Sequence, residues 1–284
     1  MTADPVLSVG AMLGEGPVWT GDALWFVDIK GRLVHRFDPV TGDARQWSAP
    51  DQVGWVLPST AGDMIAGVKT GLHRFDPATG AFTPFHDPEP SLTGNRLNDA
   101  ATDRHGRLWF GSMDDAETEA TGRLYRHDGS CEDSGLAPVV ITNGPAIAAD
   151  ARTLYHTDTL GKTIWRVPVN DDGSLGAAER HIVIDGEGYP DGSVTDAEDC
   201  LWVALFGGWG VRRYDPAGTL MVTVRFPVAN VTKMAFGGEG LRTAYATTAR
   251  KGLDAAALAA QPHAGDLFAF DPGVAGLSVT PARV

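Results

Sequence analysis

The chain has 284 residues, 43% hydrophobic and 21% charged, with 35 glycines and 18 prolines, a composition of folded globular proteins rich in turns rather than of disordered chains. Its formal net charge of −13 repels polyphosphate and anionic headgroups, so no nucleic-acid or membrane partner is expected and a small neutral molecule suits the field. The two cysteines, Cys131 and Cys200, are 69 residues apart by subtraction and spell neither a disulfide framework nor a zinc cluster.

Residues 1–13 contain no basic segment followed by an apolar one, and no uncharged apolar run of about 18 residues occurs anywhere. This predicts an unexported, cytoplasmic protein. From there on, a short burst recurs in which Leu, Met or Ala precedes an aromatic or β-branched residue: Leu24-Trp25, Met64-Ile65, Leu108-Trp109, Leu154-Tyr155, Leu201-Trp202 and Ala244-Tyr245. The separations, by subtraction, are 40, 44, 46, 47 and 43 residues, the repeat length of one four-stranded propeller blade. A second burst follows each first one and often runs into Asp-Pro, as in Arg36-Phe37-Asp38-Pro39, Arg74-Phe75-Asp76-Pro77 and Arg213-Tyr214-Asp215-Pro216. Aromatic and β-branched residues fit a pleated, half-buried surface, and Asp-Pro followed by glycine reverses the chain.

Six repeats fill the sequence, so residues 1–284 are expected to form one all-β domain, a six-bladed β-propeller. An α/β fold would need helices between the strands, and the only good helix signal is residues 254–261, with Asp254 as N-cap and Pro262 as stop. The apolar segment 6–12 is expected to close the ring by adding a strand beside residues 277–279.

Four oxygen-bearing side chains precede four of the bursts at nearly one offset: Glu15 by nine residues, Asn98 by ten, Asn143 by eleven and Asp191 by ten. Equivalent positions in different blades converge on the propeller axis. Two carboxylates and two amides meeting there repel unless a cation sits among them. An all-oxygen set suits a hard divalent ion: Ca²⁺ ranks first, and Mn²⁺, Mg²⁺, Zn²⁺ and Fe²⁺ are compatible. The flanking residues, Gly14-Glu15-Gly16-Pro17, Thr142-Asn143-Gly144-Pro145 and Pro190-Asp191-Gly192, permit or fix unusual backbone angles; each Asn-Gly or Asp-Gly alone reads more readily as a hairpin turn, and the shared offset reverses that preference. Lys233 holds the same place in the sixth repeat, to touch a substrate or to pair with a channel carboxylate.

These stretches, with Asn95-Arg96-Leu97-Asn98-Asp99, Gly106-Arg107-Leu108-Trp109-Phe110-Gly111-Ser112-Met113, His156-Thr157-Asp158-Thr159 and Phe236-Gly237-Gly238, resemble the senescence marker protein/gluconolactonase/luciferin-regenerating enzyme family from about residue 13 to 267. The resemblance implies a six-bladed propeller, one divalent metal and hydrolysis of a sugar lactone, with the greatest likeness to bacterial pentono- and hexonolactonases. Carried over position by position, it implies that Glu15, Asn143 and Asp191 ligate the metal, that Asn98 ligates it or lies beside it, and that Arg96 binds substrate oxygens. Relatives acting on gluconolactone place a glutamate after the Gly-Thr-Met stretch to receive sugar hydroxyls. Here that loop reads Met113-Asp114-Asp115-Ala116-Glu117, so Asp115 or Glu117 is the expected counterpart.

On this reading the metal acts as Lewis acid and activates water, and Asp191 accepts the proton. Trp55, Trp209 and Tyr189 are candidate pocket walls, with packing between blades as the plainer alternative; for Arg96 that alternative is a solvated loop cation. No Gly-x-Ser-x-Gly elbow and no His-x-x-x-His pair occurs, which leaves serine-hydrolase and zincin chemistry without support. Two rivals stay open: a phosphotriesterase on the same frame, and a non-catalytic binding module. The partner is expected to be a small sugar lactone, and the protein a monomer or small homo-oligomer.

Overall fold

The computed structural model describes residues 2–284. Six four-stranded antiparallel sheets follow one another around a ring, each touching the next through its innermost strand, and the last touching the first. The protein is a six-bladed β-propeller, as the repeat predicts. The innermost strands of blades 1 to 6 are Gly14–Trp19, Val53–Pro58, Asn95–Thr102, Thr142–Ile147, Tyr189–Thr195 and Val231–Gly237. One short helix, Ala255–Ala260, lies where expected, and the Asp254 carboxylate accepts from the Ala257 N–H.

The bursts that define the repeat are the second strands of the blades, Leu24–Asp28, Met64–Val68, Leu108–Asp114, Thr153–Asp158, Leu201–Phe206 and Thr243–Thr248. They do not line the channel. Their strong signal comes from burial on both faces between neighbouring blades: Trp109, Trp202, Ile65 and Leu108 have essentially no exposed surface, and a large side chain so buried contributes about 2–3 kcal/mol. The channel strands read more weakly because glycine, proline and polar residues interrupt most of them, as in Gly14–Trp19 and Thr142–Ile147. The second bursts are the third strands, each ending in its turn.

Closure differs from the expectation. Residues 4–7 pair antiparallel with Leu267–Phe270, so the N-terminus supplies the outermost strand of blade 6. Residues 277–280 instead cross the far end of the channel: Thr102 Oγ1 donates to Thr280 O at 2.6 Å, and Ala282 N to Pro58 O at 2.8 Å. Leu267–Phe270 already pairs with the second strand of its blade and still presents a free edge, whereas the last residues make only isolated bridges.

The far ends of two channel strands, those of blades 3 and 5, are pinned by buried carboxylates. Asp103 Oδ2 accepts from Arg107 Nε at 2.5 Å and Trp109 Nε1 at 3.2 Å. Asp196 Oδ2, in blade 5, accepts from Trp202 Nε1 at 2.9 Å and Arg213 Nε at 2.8 Å. Asp196 lies five residues beyond Asp191, so it anchors the strand that carries a candidate functional carboxylate. Replacing Asp196 by Ala leaves the Nε of a largely buried guanidinium, whose Nη2 keeps Glu198, and an indole N–H without partners. The expected loss is about 3 kcal/mol of stability, read from the urea midpoint at constant slope.

Candidate active site at one mouth of the channel

All six channel strands lose register with their neighbours a few residues from their start. In four of them the irregularity brackets or adjoins one of the four candidate oxygen ligands: Glu15/Val18, Leu97/Ala100, Asn143/Ala146 and Pro190/Ser193. A bulge turns the strand and re-aims a side chain. Gly16 and Gly144 supply it with positive φ of 54° and 72°, and a Cβ on Gly192 would lie 2.5 Å from the Lys233 side chain. The Asn-Gly and Asp-Gly pairs therefore serve bulges inside strands, not hairpin turns.

The bulges deliver Glu15, Arg96, Asn98, Asn143 and Asp191 into one cavity of about 240 Å³, walled by Leu13, Met113, Ile141, Phe206 and Tyr189 and reached also by Glu117 and Lys251. All five are at most 7% exposed. The expected convergence of Glu15, Asn98, Asn143 and Asp191 on one place is what the structure shows.

The oxygens there outnumber the donors. Glu15 receives only the Gly16 N–H, at 2.8 Å on Oε2. Neither Asp191 oxygen receives a donor among the described residues. Asn143 Oδ1 accepts from Asn98 Nδ2 at 3.1 Å while its own Nδ2 is tied to Thr159 Oγ1 at 2.9 Å, which turns the carbonyl inward. Burial, with Asp99 adding repulsion, pushes the Asp191 carboxyl up to about 8. Burial first, then Asp191 and Asp99, holds Glu15 well above its ordinary range. Such a cluster of carboxylate and amide oxygens fits a hard divalent cation. Among the described residues no three His, Cys, Asp or Glu side chains converge elsewhere or here, so the amide of Asn143 completes the set.

Asn98 stands differently. Its Oδ1 accepts from Arg96 Nη1 at 2.6 Å and its Nδ2 donates to Thr142 O at 2.7 Å and to Asn143 Oδ1. Of the two places expected for it, as ligand or beside the ion, the hydrogen bonds favour the second. Arg96 is not a solvated loop cation: it is 3% exposed, its Nε donates to Asp115 Oδ1 at 3.0 Å, and its Nη2 is left for the cavity.

Asp115 does not line the cavity. Behind Arg96, it is shared with Lys30 at 2.7 Å and Lys69 at 3.3 Å and takes the Gln52 amide at 2.8 Å. Burial would push it up, but the Lys30 and Gln52 hydrogen bonds and the Arg96 and Lys30 charges outweigh that and hold it below the usual carboxylate range. Committed to three cations, Asp115 is unsuited to the sugar-binding part expected of it, whereas Glu117 reaches the mouth. Lys233 pairs with the buried carboxylate of Asp99, the second of its two expected uses. Of the candidate walls, only Tyr189 is in place. Trp55 is fully buried and faces a second, mostly apolar cavity of about 250 Å³ at the far end of the channel, and Trp209 stands at the surface, 37% exposed. Lys251, Met113 and Phe206 were not foreseen; no local pattern marks them.

The family model for the SMP-30/Gluconolactonase/LRE-like region matches residues 13–250. The chain belongs to this family. It is 31% identical over 271 residues to the 6-deoxy-6-sulfogluconolactonase of Pseudomonas putida, covering 94% of this chain and 93% of that one. It is 34% identical over 274 residues to the L-arabinolactonase of Azospirillum brasilense, covering 94% and 90%. Among solved structures, a calcium-binding protein, regucalcin, from Agrobacterium tumefaciens superposes with a TM-score of 0.93 at 29% identity, covering 99% of this chain and 97% of that one. In this family member no helix among the described residues is long and apolar enough to cross a membrane.

The electrostatics predict a stability cost. A carboxyl whose folded pKa is raised contributes stability below its unfolded value, near 4, and loses it as pH climbs toward 8, the folded value of Asp191. In chelator, Asp191→Asn is therefore expected to stabilise the protein at pH 8 by at least about 1 kcal/mol, with the gain vanishing near pH 4. Paired urea titrations at the two pH values check it.

Proposed function

We propose that this chain hydrolyses the ester bond of a sugar lactone, with one divalent cation held by Glu15, Asn143 and Asp191. The observation that carries the reading is the set of buried oxygens lining one cavity with almost no donors, beside an arginine that lines the same cavity and whose Nη2 has no partner among the described residues. The names of the relatives from Pseudomonas putida and Azospirillum brasilense support a lactone as substrate, and the regucalcin likeness supports calcium as the ion. A cavity of about 240 Å³, below the roughly 300–1,000 Å³ of drug-sized sites, suits a single pentono- or hexonolactone.

Glu15, Asn143 and Asp191 would hold the divalent cation, which when bound would offset the two carboxylates and supply Lewis acidity toward an ester carbonyl and water. Arg96, held by Asp115 and Asn98, aims Nη2 at the lactone oxygens and favours the negative charge that builds as water adds to the carbonyl. Asp191 takes the proton from the attacking water and can return it to the ring oxygen as the C–O bond breaks, leaving a hydroxy acid. Asn98 fixes both Arg96 and Asn143. Leu13, Met113, Ile141 and Phe206 give the reacting carbonyl apolar walls.

The test is acid release from a panel of aldonolactones and one phosphotriester, with Ca²⁺, Mn²⁺ or Zn²⁺ added to metal-depleted protein. Lactone turnover restored by one of these ions is expected, with Glu15→Ala and Asp191→Ala each lowering kcat by about a hundredfold or more. Phosphotriester turnover above that of every lactone, or lactone turnover untouched by both substitutions, would overturn the reading.

A further inference from the structure

Glu117 and Lys251 are 134 residues apart and come from blades on opposite sides of the ring. Glu117 lies in the loop between the second and third strands of blade 3, and Lys251 in the corresponding connection of blade 6. Their side chains meet in an ion pair, and both line the mouth of the cavity. The pair therefore lies across the opening, over the floor formed by Glu15, Asn143 and Asp191.

Both backbones are fixed, whereas among the described residues the two side-chain ends are held only by each other. Lys251 N donates to Met12 O at 2.9 Å, and Lys251 O accepts from Asn230 Nδ2 at 2.9 Å. Glu117 N donates to Asp114 O at 3.0 Å, and Asp114 Oδ2 takes the next two backbone N–H groups, of Thr118 and Glu119, at 2.9 Å each. Glu117 has a φ of 61°, a left-handed conformation uncommon outside glycine, which turns its side chain across the opening. The side chains are 35% and 33% exposed, and an ion pair so open to water contributes little, so a ligand can part it at small cost.

An ammonium only donates and a carboxylate only accepts. A hydroxyl satisfies both at once, accepting from Lys251 while donating to Glu117. An ether or fluorine lacks the proton, and an anionic substituent meets Glu117 with like charge.

Resting on the lactonase reading, we propose that Glu117 and Lys251 form a clasp that parts around the substrate hydroxyl farthest from the scissile carbonyl, and that Lys251 is a specificity-determining residue. The ester end lies deep, against Arg96 and Asp191, so the opposite end of a small lactone points at the clasp. The proposal makes one donor and one acceptor, from opposite blades, a reader of a single hydroxyl position.

The experiment compares kcat/KM on an aldonolactone and on its deoxy analogue lacking that distal hydroxyl, with the ion that supports turnover. The ratio of the two, from one preparation, does not depend on the folded fraction. Wild type is expected to prefer the hydroxylated lactone. Lys251→Met is expected to reduce that preference by roughly tenfold to a hundredfold, mainly through KM, leaving the deoxy substrate nearly unaffected, and Lys251→Arg is expected to retain it. A Lys251→Met enzyme with the wild-type ratio overturns the clasp, as does one in which both substrates fall equally. Wild type that hydrolyses no lactone defeats the lactonase reading itself; turnover with an unchanged ratio defeats only this inference.

Discussion

The mutual repulsion of buried oxygens at one end of the channel is the constraint around which the rest of the molecule is arranged. Glu15 and Asp191 come from blades 1 and 5, and burial favours their uncharged forms. A fold assembled only to be stable would not gather them there. The ring holds them because each is carried by a strand packed between neighbouring blades, and because Asp196 ties the far end of the Asp191 strand, as Asp103 ties that of the Asn98 strand, to arginine and tryptophan side chains. Instability at one end is thus offset at the other, a distribution common at functional sites.

The positive charges are arranged in two layers around this set. Lys233, paired with Asp99, lies toward the middle of the channel and pulls down the Glu15 and Asp191 carboxyls without touching them. Arg96 stands beside the cavity, kept in place by a carboxylate it shares with two lysines. Asp115 thereby serves the site from behind. Its interaction with Arg96 is shielded from solvent, and a half-buried carboxylate with several hydrogen-bonded cations holds a guanidinium plane more firmly than a surface pair does.

Much of the fold was legible in the residues. Six bursts at about one spacing gave the number of blades, because a strand packed on both faces must be apolar along its length, and Asp254 with Pro262 marked the one α-helix among the described residues. The closure was misplaced: residues 277–279 look as strand-like as Leu267–Phe270, and only the order of strands within blade 6 decides which edge is left for the N-terminus. Trp55 looked like a pocket wall for the same reason. Its position along the channel strand sends it to the far cavity, and a linear sequence does not say which end of a channel a residue faces.

By itself, the sequence determined the repeat, hence the propeller, and the shared offset of Glu15, Asn98, Asn143 and Asp191, hence their meeting on one axis. Periodicity is a property of neighbours along the chain, so it survives in a string of letters. The tertiary structure alone decided which amide carbonyl faces the cavity, that Asp115 supports Arg96 and stays out of the mouth, and that Lys251 meets Glu117 across the ring. Those contacts join residues from different blades or depend on how hydrogen-bond partners divide among competing groups. They follow from closure of the ring, which no local pattern encodes.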